Sequence, residues 1–543
     1  MGFLKQSAKI LLSLWLLGSL LGVAGGCSQP TVQPTPPVAA AVTYTEQYRP
    51  QFHFSPPSMW MNDPNGMVYF EGEYHLFYQY YPNDTVWGPM HWGHAVSTDL
   101  VYWKQLPIAL YPDELGYIFS GSAVVDWDNS SGFGVDGRPP LVAIFTYHNP
   151  DLAKAGGKDH EYQGIAWSND RGRSWNKYPG NPVLPNTQKL QDFRDPKVFW
   201  HGESQRWIMA LSARDHVQFW ASKNLKNWAF LSDFGREWGA HGGVWECPDL
   251  VRMTVQGSNE VRWVLILNLN PGGPQGGSGT QYFVGDFDGK RFVLDTSFAR
   301  TLREKGAMWV DSGADNYAGV TWSDVPAEDG RTIFIGWMGN WDYAQQVPTS
   351  TWRSAMTLPR ELQLMLTGQG YRLFSRPVTE LRKLRDDSLA IEPVTIAANT
   401  SVALDIGFPV SRSEILLEFE LPDSGSVDFG LELGNDLGER YRFGYDGSAR
   451  QFYSDRTASG DASFSEKFPG VHRADRMHED VMLRLHLFID AASIEVFADD
   501  GANVMTETFF PTREFDAISV YANGGSVRLS KGEAWSLKSI WQP

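Results

Sequence analysis

Cysteine is almost missing from this chain: Cys27 and Cys247 are the only two in 543 residues. Two cysteines exclude a disulfide framework and a cysteine-rich zinc site. Basic runs are missing too. Apart from Lys5 and Lys9, no cation cluster interrupts a formal net charge of −17, which argues against nucleic acid or another polyanion as partner. No long apolar run follows the first residues, so nothing further has the length of a bilayer-spanning helix. No Gly-x-Ser-x-Gly elbow supports serine-hydrolase chemistry. The glycine-rich run 271–279 lacks the Lys-Ser/Thr of a phosphate loop. His91 and His94 have no third ligand nearby, so no metal site is expected, and no cofactor is implied.

The one apolar run opens the chain. Lys5 and Lys9 give it a positive start, residues 10–23 a short apolar core, and Ala24-Gly25-Gly26 a small-residue approach to Cys27. This resembles a bacterial lipoprotein signal, in which the cysteine is lipidated. Residues 1–27 are therefore expected to be a signal ending at lipidated Cys27, with an ordinary cleaved signal peptide as the alternative. Residues 28–43, rich in Pro, Thr and Ala, read as an extended tether. The expectation is an exported protein held to a membrane by a lipid anchor only.

What the chain has in quantity is aromatic residues: 22 Trp, 21 Tyr and 31 Phe. They fit large β-sheet cores, a carbohydrate-handling surface, or both. From residue 44 to about 368 the pattern is short strands and turns. Hairpins are predicted over 67–80, 198–212 and 250–268. Small polar turns with a following tryptophan recur: Ser97-Thr98-Asp99-Leu100 with Trp103, Ser222-Lys223-Asn224-Leu225 with Trp228, and Ser168-Asn169-Asp170 with Trp175. Self-similar units of this size predict a five-bladed β-propeller, with blades beginning near Asp63, Gly121, Asp195, Glu246 and Asp311. A single β-sandwich is the competing reading. The glycine-rich run 271–279 is expected to connect blades at a pocket rim. Residues 369–385 read as a charged linker with modest helical character. Residues 386–543, with alternating strands at 415–421, 427–433, 482–490, 493–498 and 518–522, predict a C-terminal antiparallel β-sandwich. The fold class is all-β.

One pattern recurs three times inside the propeller region: an acid beside a proline, ahead of an apolar strand. The copies are Asn62-Asp63-Pro64-Asn65-Gly66, Arg194-Asp195-Pro196-Lys197 and Trp245-Glu246-Cys247-Pro248. Acids at one equivalent position of a repeat fold should converge, and clustered carboxylates suit acid/base or nucleophilic chemistry on a sugar. Asn62 and backbone amides are expected to keep Asp63 ionised, as a nucleophile requires; a plain tight turn is the alternative. Trp245, Cys247 and Pro248 are expected to surround Glu246 with apolar bulk, as suits a proton-carrying general acid. Arg194 is expected to keep Asp195 charged for binding sugar hydroxyls.

The runs Trp60-Met61-Asn62-Asp63-Pro64-Asn65-Gly66, Phe119-Ser120-Gly121-Ser122, Phe193-Arg194-Asp195-Pro196 and Trp245-Glu246-Cys247-Pro248 resemble glycoside hydrolase family 32, the family of invertases, inulinases and levanases. The similarity extends through Asn83–Gly88, His91–His94, Asn340–Ala344 and Ile494-Glu495-Val496-Phe497. It implies a retaining exo-acting β-fructosidase on fructans (levan, inulin) and sucrose, working through a covalent fructosyl-enzyme; an invertase acting mainly on sucrose and a non-catalytic surface glycan-binding protein are the alternatives. Asp63 would be nucleophile, Glu246 acid/base and Asp195 transition-state stabiliser. Asn62, Gln79, Trp87, Phe119, Ser120, Arg194 and Trp341 would line the subsite for the terminal fructose.

Overall fold

The computed structural model describes residues 43–422, 425–478 and 480–541. The expected signal with Cys27, and the expected tether up to residue 42, lie outside the described residues. Among the described residues strands dominate, and the two α-helices, Pro150–Lys154 and Thr296–Lys305, are short.

Five antiparallel sheets follow one another along the chain. Their first strands are Met59–Phe70, Tyr117–Val125, Phe193–His201, Val244–Thr254 and Tyr317–Thr321. Each first strand packs against the next, and the fifth packs against the first. That closed ring is a five-bladed propeller with its first strands around the axis. A short strand from the fifth blade's long connection, Trp352–Arg353, pairs parallel with Met59 and Trp60 and latches the ring.

The polar turns that recur in the sequence do one job in the outer hairpins. Ser97 Oγ donates to Asp99, whose carboxylate accepts the amides of Val101 and Tyr102. Ser222 and Asn224 repeat the arrangement toward Lys226 and Asn227. Trp175 and Trp228 close their turns by donating Nε1 to the carbonyls of Gly172 and Leu225.

Three expectations need correction. The fifth blade's inner strand starts at Tyr317, not near Asp311. Asp311 is instead buried and bonds Arg360 at 2.8 Å and Thr506 at 2.6 Å. No acid-proline pair marks the fifth blade, so the repeat offered no anchor there. Gly370–Pro377 pairs with Arg360–Thr367 as the last strand of that blade, where a linker was expected; only Thr379–Leu384 is helical, as a short 3-10 turn. The charged residues beyond Pro377 mask the alternation of Tyr371, Leu373 and Ser375. The glycine-rich run lies within the fourth blade, between Val261–Asn270 and Gly279–Phe287, rather than between blades.

After Arg385 two sheets, of seven and six strands, face each other as a β-sandwich around Ile415, Leu417, Phe429, Leu431, Leu487 and Val496. Strands form at Ser413–Glu420, Asp428–Gly434, Met482–Asp490, Ser493–Ala498 and Ala517–Asn523. The sandwich is bolted to the propeller by buried ions. Arg360 of the fifth blade donates through Nε to Glu495 at 3.0 Å as well as to Asp311. His53 bridges Asp490 at 2.8 Å and Glu495 at 3.0 Å. Burial opposes a charge on His53, but hydrogen bonds to these two acids raise its pKa to about 9.

Candidate active site

Every inner strand carries the same irregularity. In each blade two residues bulge opposite one on the neighbouring strand. The bulged pairs are Asn62-Asp63, Phe119-Ser120, Asp195-Pro196, Cys247-Pro248 and Ala318-Gly319. A bulge re-aims side chains that regular alternation would send into the blade. Asp195, Cys247 and Ala318 adopt φ of 65°, 44° and 53° there, a conformation costly for non-glycine residues and typical of functional sites. The prolines at 196 and 248 cost no ladder bond, because the bulge removes the pairing.

This register corrects the expectation that the three acids are equivalent. Asp63 is the second bulge residue of its blade and Asp195 the first of its own. Glu246 immediately precedes its bulge. The true equivalents of Glu246 are Arg194 and Tyr317, each paired just ahead of the bulge in the adjacent blades. These three side chains meet. Arg194 donates to Glu246 Oε1 from Nε at 3.1 Å and Nη2 at 2.9 Å, and the Tyr317 hydroxyl bonds Glu246 Oε2.

The carboxylates converge nonetheless. Asp63 accepts from Asn62 Nδ2 at 2.9 Å and Ser120 Oγ at 2.8 Å; Asn62 is itself fixed by Trp60 Nε1 at 2.7 Å. Asp195 Oδ2 accepts the Cys247 amide at 3.1 Å. The Cys247 thiol lies 3.7 Å from both Asp63 Oδ2 and Asp195 Oδ2 and so sits between the two acids. Burial, then the charges of Asp195 and Asp63, push that thiol's pKa well up, so it stays a neutral donor.

The surroundings differ from the sequence expectation at each acid. Burial and the charge of Glu246 raise Asp63 to about 6, although bonds from Asn62 and Ser120 pull the other way. Burial also raises Asp195, and the charges of Glu246 and Asp63 add to it against the pull of Arg194. Arg194 makes no hydrogen bond to Asp195; its bonds go to Glu246, Glu161 and Asp192. Glu246 does not sit in apolar bulk. Trp245, its neighbour along the strand, points to the opposite side, is fully buried and stacks on His241.

All ten side chains expected at the site, Asn62, Asp63, Gln79, Trp87, Phe119, Ser120, Arg194, Asp195, Glu246 and Trp341, line one cavity of about 360 Å³ at the axis. Gln79 Nε2 is buried there with no partner among the described residues, leaving a donor for a ligand. Trp87, 38% exposed, meets Phe119 edge-on at 6.0 Å, and Trp341 packs on Trp60 and Trp337. Below the acids the axis narrows to a space of about 10 Å³. Beneath it the buried Lys197 ammonium bonds Asp249 at 3.1 Å and the Thr321 carbonyl at 2.7 Å. The cavity is blind.

The sequence reading missed Tyr317, Glu161, His148, His160, Asp192, Asn270 and Gln345. Tyr317 alone had a signal, the register it shares with Glu246. Glu161 comes from an outer strand and orients Arg194 at 3.1 Å. Burial opposes its charge, but Arg194 and His148 hold it down to about 2. His148, His160 and Glu161 place ligand-type atoms within 4.8 Å of one another. A cation there would face the Arg194 guanidinium, so the cluster fits an arginine anchor better than a metal centre.

Comparison with known proteins agrees with this geometry. Residues 53–377 match the glycosyl hydrolases family 32 N-terminal domain, and residues 380–536 match the family 32 C-terminal domain. A levanase of Bacillus subtilis is 46% identical over 500 residues, covering 92% of this chain and 72% of that protein. An extracellular exo-inulinase of Aspergillus awamori is 37% identical, covering 93% of this chain and 97% of that one. The crystal structure of exo-inulinase from Aspergillus awamori superposes with a TM-score of 0.83 at 36% identity, over 92% of this chain and all of that one. A fructofuranosidase of Schwanniomyces occidentalis complexed with fructosylnystose gives a TM-score of 0.82 at 33% identity, over 92% and 99%. The propeller followed by a sandwich is thus a fold shared with these solved structures, the two family 32 models together match most of the chain, and the chain belongs to glycosyl hydrolase family 32.

Proposed function

We propose that this protein is a retaining exo-β-fructosidase that removes terminal fructose from levan- and inulin-type fructans, and also cleaves sucrose. One observation carries the reading: Asp63, Asp195 and Glu246 arrive from three blades at the wall of a cavity closed at its base. A closed base admits a chain end and excludes a chain running through.

Asp63 attacks the anomeric C2 of the terminal fructosyl unit. The bond from C2 to the leaving oxygen breaks as Glu246 gives that oxygen its proton. Water then attacks C2 of the fructosyl-enzyme and passes a proton to Glu246, and Asp63 leaves. Two displacements at C2 return the starting configuration. Arg194 and Tyr317 position the Glu246 carboxyl throughout. Asp195, raised by burial and held by the Cys247 amide, accepts hydrogen bonds from fructose hydroxyls that tighten as positive charge develops. Asn62 and Ser120 orient Asp63. Gln79, Trp87, Phe119 and Trp341 enclose the sugar ring, and Gln79 Nε2 supplies an uncommitted donor.

Export follows from the amino-terminal signal, with lipid attachment at Cys27 and residues 28–43 spacing the enzyme from the membrane. Among the described residues no helix is long and apolar enough to cross a membrane. Incorporation of labelled palmitate, lost in Cys27→Ala, tests the anchor.

The function is tested by assaying fructose release from levan, inulin and sucrose with Asp63→Ala and Glu246→Gln. Each should lose about 10²-fold or more in kcat on the fructans. Near-normal release by either variant rejects the role given to that residue. The product profile on the three substrates separates a fructan exohydrolase from an enzyme acting mainly on sucrose.

A further inference from the structure

The axis of the propeller has a second mouth, opposite the carboxylates, and it holds a cavity of about 420 Å³, larger than the one at the acids. The far ends of the inner strands surround it. The Lys197–Asp249 pair and the constriction above it separate the two spaces, so the second is not a continuation of the first.

Its lining is unlike a structural plug. Trp127 is 61% exposed and Trp200 38% exposed, whereas tryptophans that serve the core, such as Trp60, Trp92, Trp245 and Trp337, are fully buried. The exposed indoles are nevertheless held in place. Trp127 Nε1 donates to Asp324 Oδ1 at 2.9 Å, and its ring rests on Phe70 at 5.9 Å. Trp200 stands edge-on to Trp207 at 5.2 Å, and Trp207 Nε1 is tied to Ser130 Oγ at 2.8 Å. Rigid aromatic platforms bind with little loss of side-chain freedom.

The charged groups at the wall balance in sign, Asp126, Asp128 and Asp324 against Lys197, Arg252 and Arg331, which favours an uncharged ligand. Lys197 is paired with Asp249, and Arg331 with Asp329 and Glu380. The Ser323 hydroxyl oxygen is buried at the cavity wall with no partner among the described residues. An unpaired buried hydroxyl is costly unless a ligand satisfies it. Indole faces among hydroxyl, carboxylate and guanidinium groups of balanced charge match a neutral polyhydroxylated chain whose C–H faces stack and whose hydroxyls bond.

We propose that this second mouth is a non-catalytic binding site for a segment of fructan chain, resting on the fructan reading above. Holding one segment there keeps chain ends of the same particle close to the acids, which raises their effective concentration without changing the chemistry.

The test uses the full chain. In the Asp63→Ala background, retention in gels containing levan or inulin is compared with and without Trp127→Ala/Trp200→Ala. In the active background, KM on the polymer and turnover on sucrose are measured. The pair of substitutions should weaken retention and raise polymer KM by roughly tenfold, with sucrose turnover unchanged. Unchanged sucrose turnover also reports a folded protein; if the double variant loses it, Trp127→Ala alone, at the more exposed position, decides by the same measurements. Unaltered retention and unaltered polymer KM overturn the site. If the unsubstituted protein releases no fructose from any fructan while the tryptophans still govern retention, the catalytic reading falls and the binding site stands.

Discussion

Arg194 and Glu246 occupy the same register position in neighbouring blades, and the guanidinium grips the carboxylate through Nε at 3.1 Å and Nη2 at 2.9 Å. The repeat creates this contact, because equivalent positions in adjacent blades are neighbours around the axis. Glu161 holds the far side of the same guanidinium.

Releasing that far side should misplace Glu246, the proposed acid/base. Glu161→Gln is expected to lower kcat/KM on sucrose and inulin by about 10- to 100-fold, the cost of unpairing a buried charge-assisted bond. Initial rates measure it. Wild-type rates in the variant mean that Arg194 is held well enough by Glu246 and Asp192.

As the proposed nucleophile Asp63 must be ionised, and its pKa is raised to about 6. kcat/KM should therefore fall as pH drops through about 6. Ser120→Ala removes a bond that lowers this pKa, so the acid limb should move to higher pH. A limb that stays in place in Ser120→Ala excludes Asp63 as the titrating group.

The same shift makes Asp63 a stability cost. Folding raises its pKa from 3.8 to about 6, so the folded state binds the proton more tightly. The penalty is absent below the unfolded value, grows between the two, and is full above pH 6, at about 3 kcal/mol. Asp63→Asn should raise the melting temperature at pH 7.5 and lose that advantage near pH 4. Thermal melts at both pH values check the sign.

His53 works in the opposite direction. Its pKa rises from 6.5 to about 9 between Asp490 and Glu495. Its stabilisation is complete below pH 6.5 and is lost as pH rises through 9, on the order of 3 kcal/mol in all. Melts from pH 6.5 to 9.5 should show this loss, and His53→Gln should flatten it. An equal alkaline slope in the variant assigns the loss elsewhere.

Cys247 is buried and its thiol pKa is pushed well up. Iodoacetamide at pH 8 should leave native protein unlabelled at Cys247 and label it after denaturation. Rapid native labelling detected by mass spectrometry contradicts the thiol's place between Asp63 and Asp195.

The all-β character, the propeller repeat and the sandwich were legible because hairpin alternation and turn chemistry are local. The residues around the acids were legible because they sit in short motifs. Glu161 and His148 were not, since strands outside the inner ring bring them in, and Tyr317 had only the register it shares with Glu246, in a blade without an acid-proline pair. The environments inferred from flanking residues failed for a physical reason. Along a strand, the next residue points to the opposite face, so Trp245 says little about what surrounds Glu246.

By itself the sequence determined which side chains would line the cavity and that a repeat would gather them, since both follow from residue type and short-range pattern. The tertiary structure alone decided their partners and the raised titration of Asp63 and Asp195. Bulges in the inner strands put Asp63, Asp195 and Glu246 at three different register positions. Ring closure then set Arg194 on Glu246 and the Cys247 thiol between the other two acids. Burial and the charges across the axis, rather than chain neighbours, dominate the titration of Asp63 and Asp195, because electrostatic interactions depend on distance through space and not along the chain.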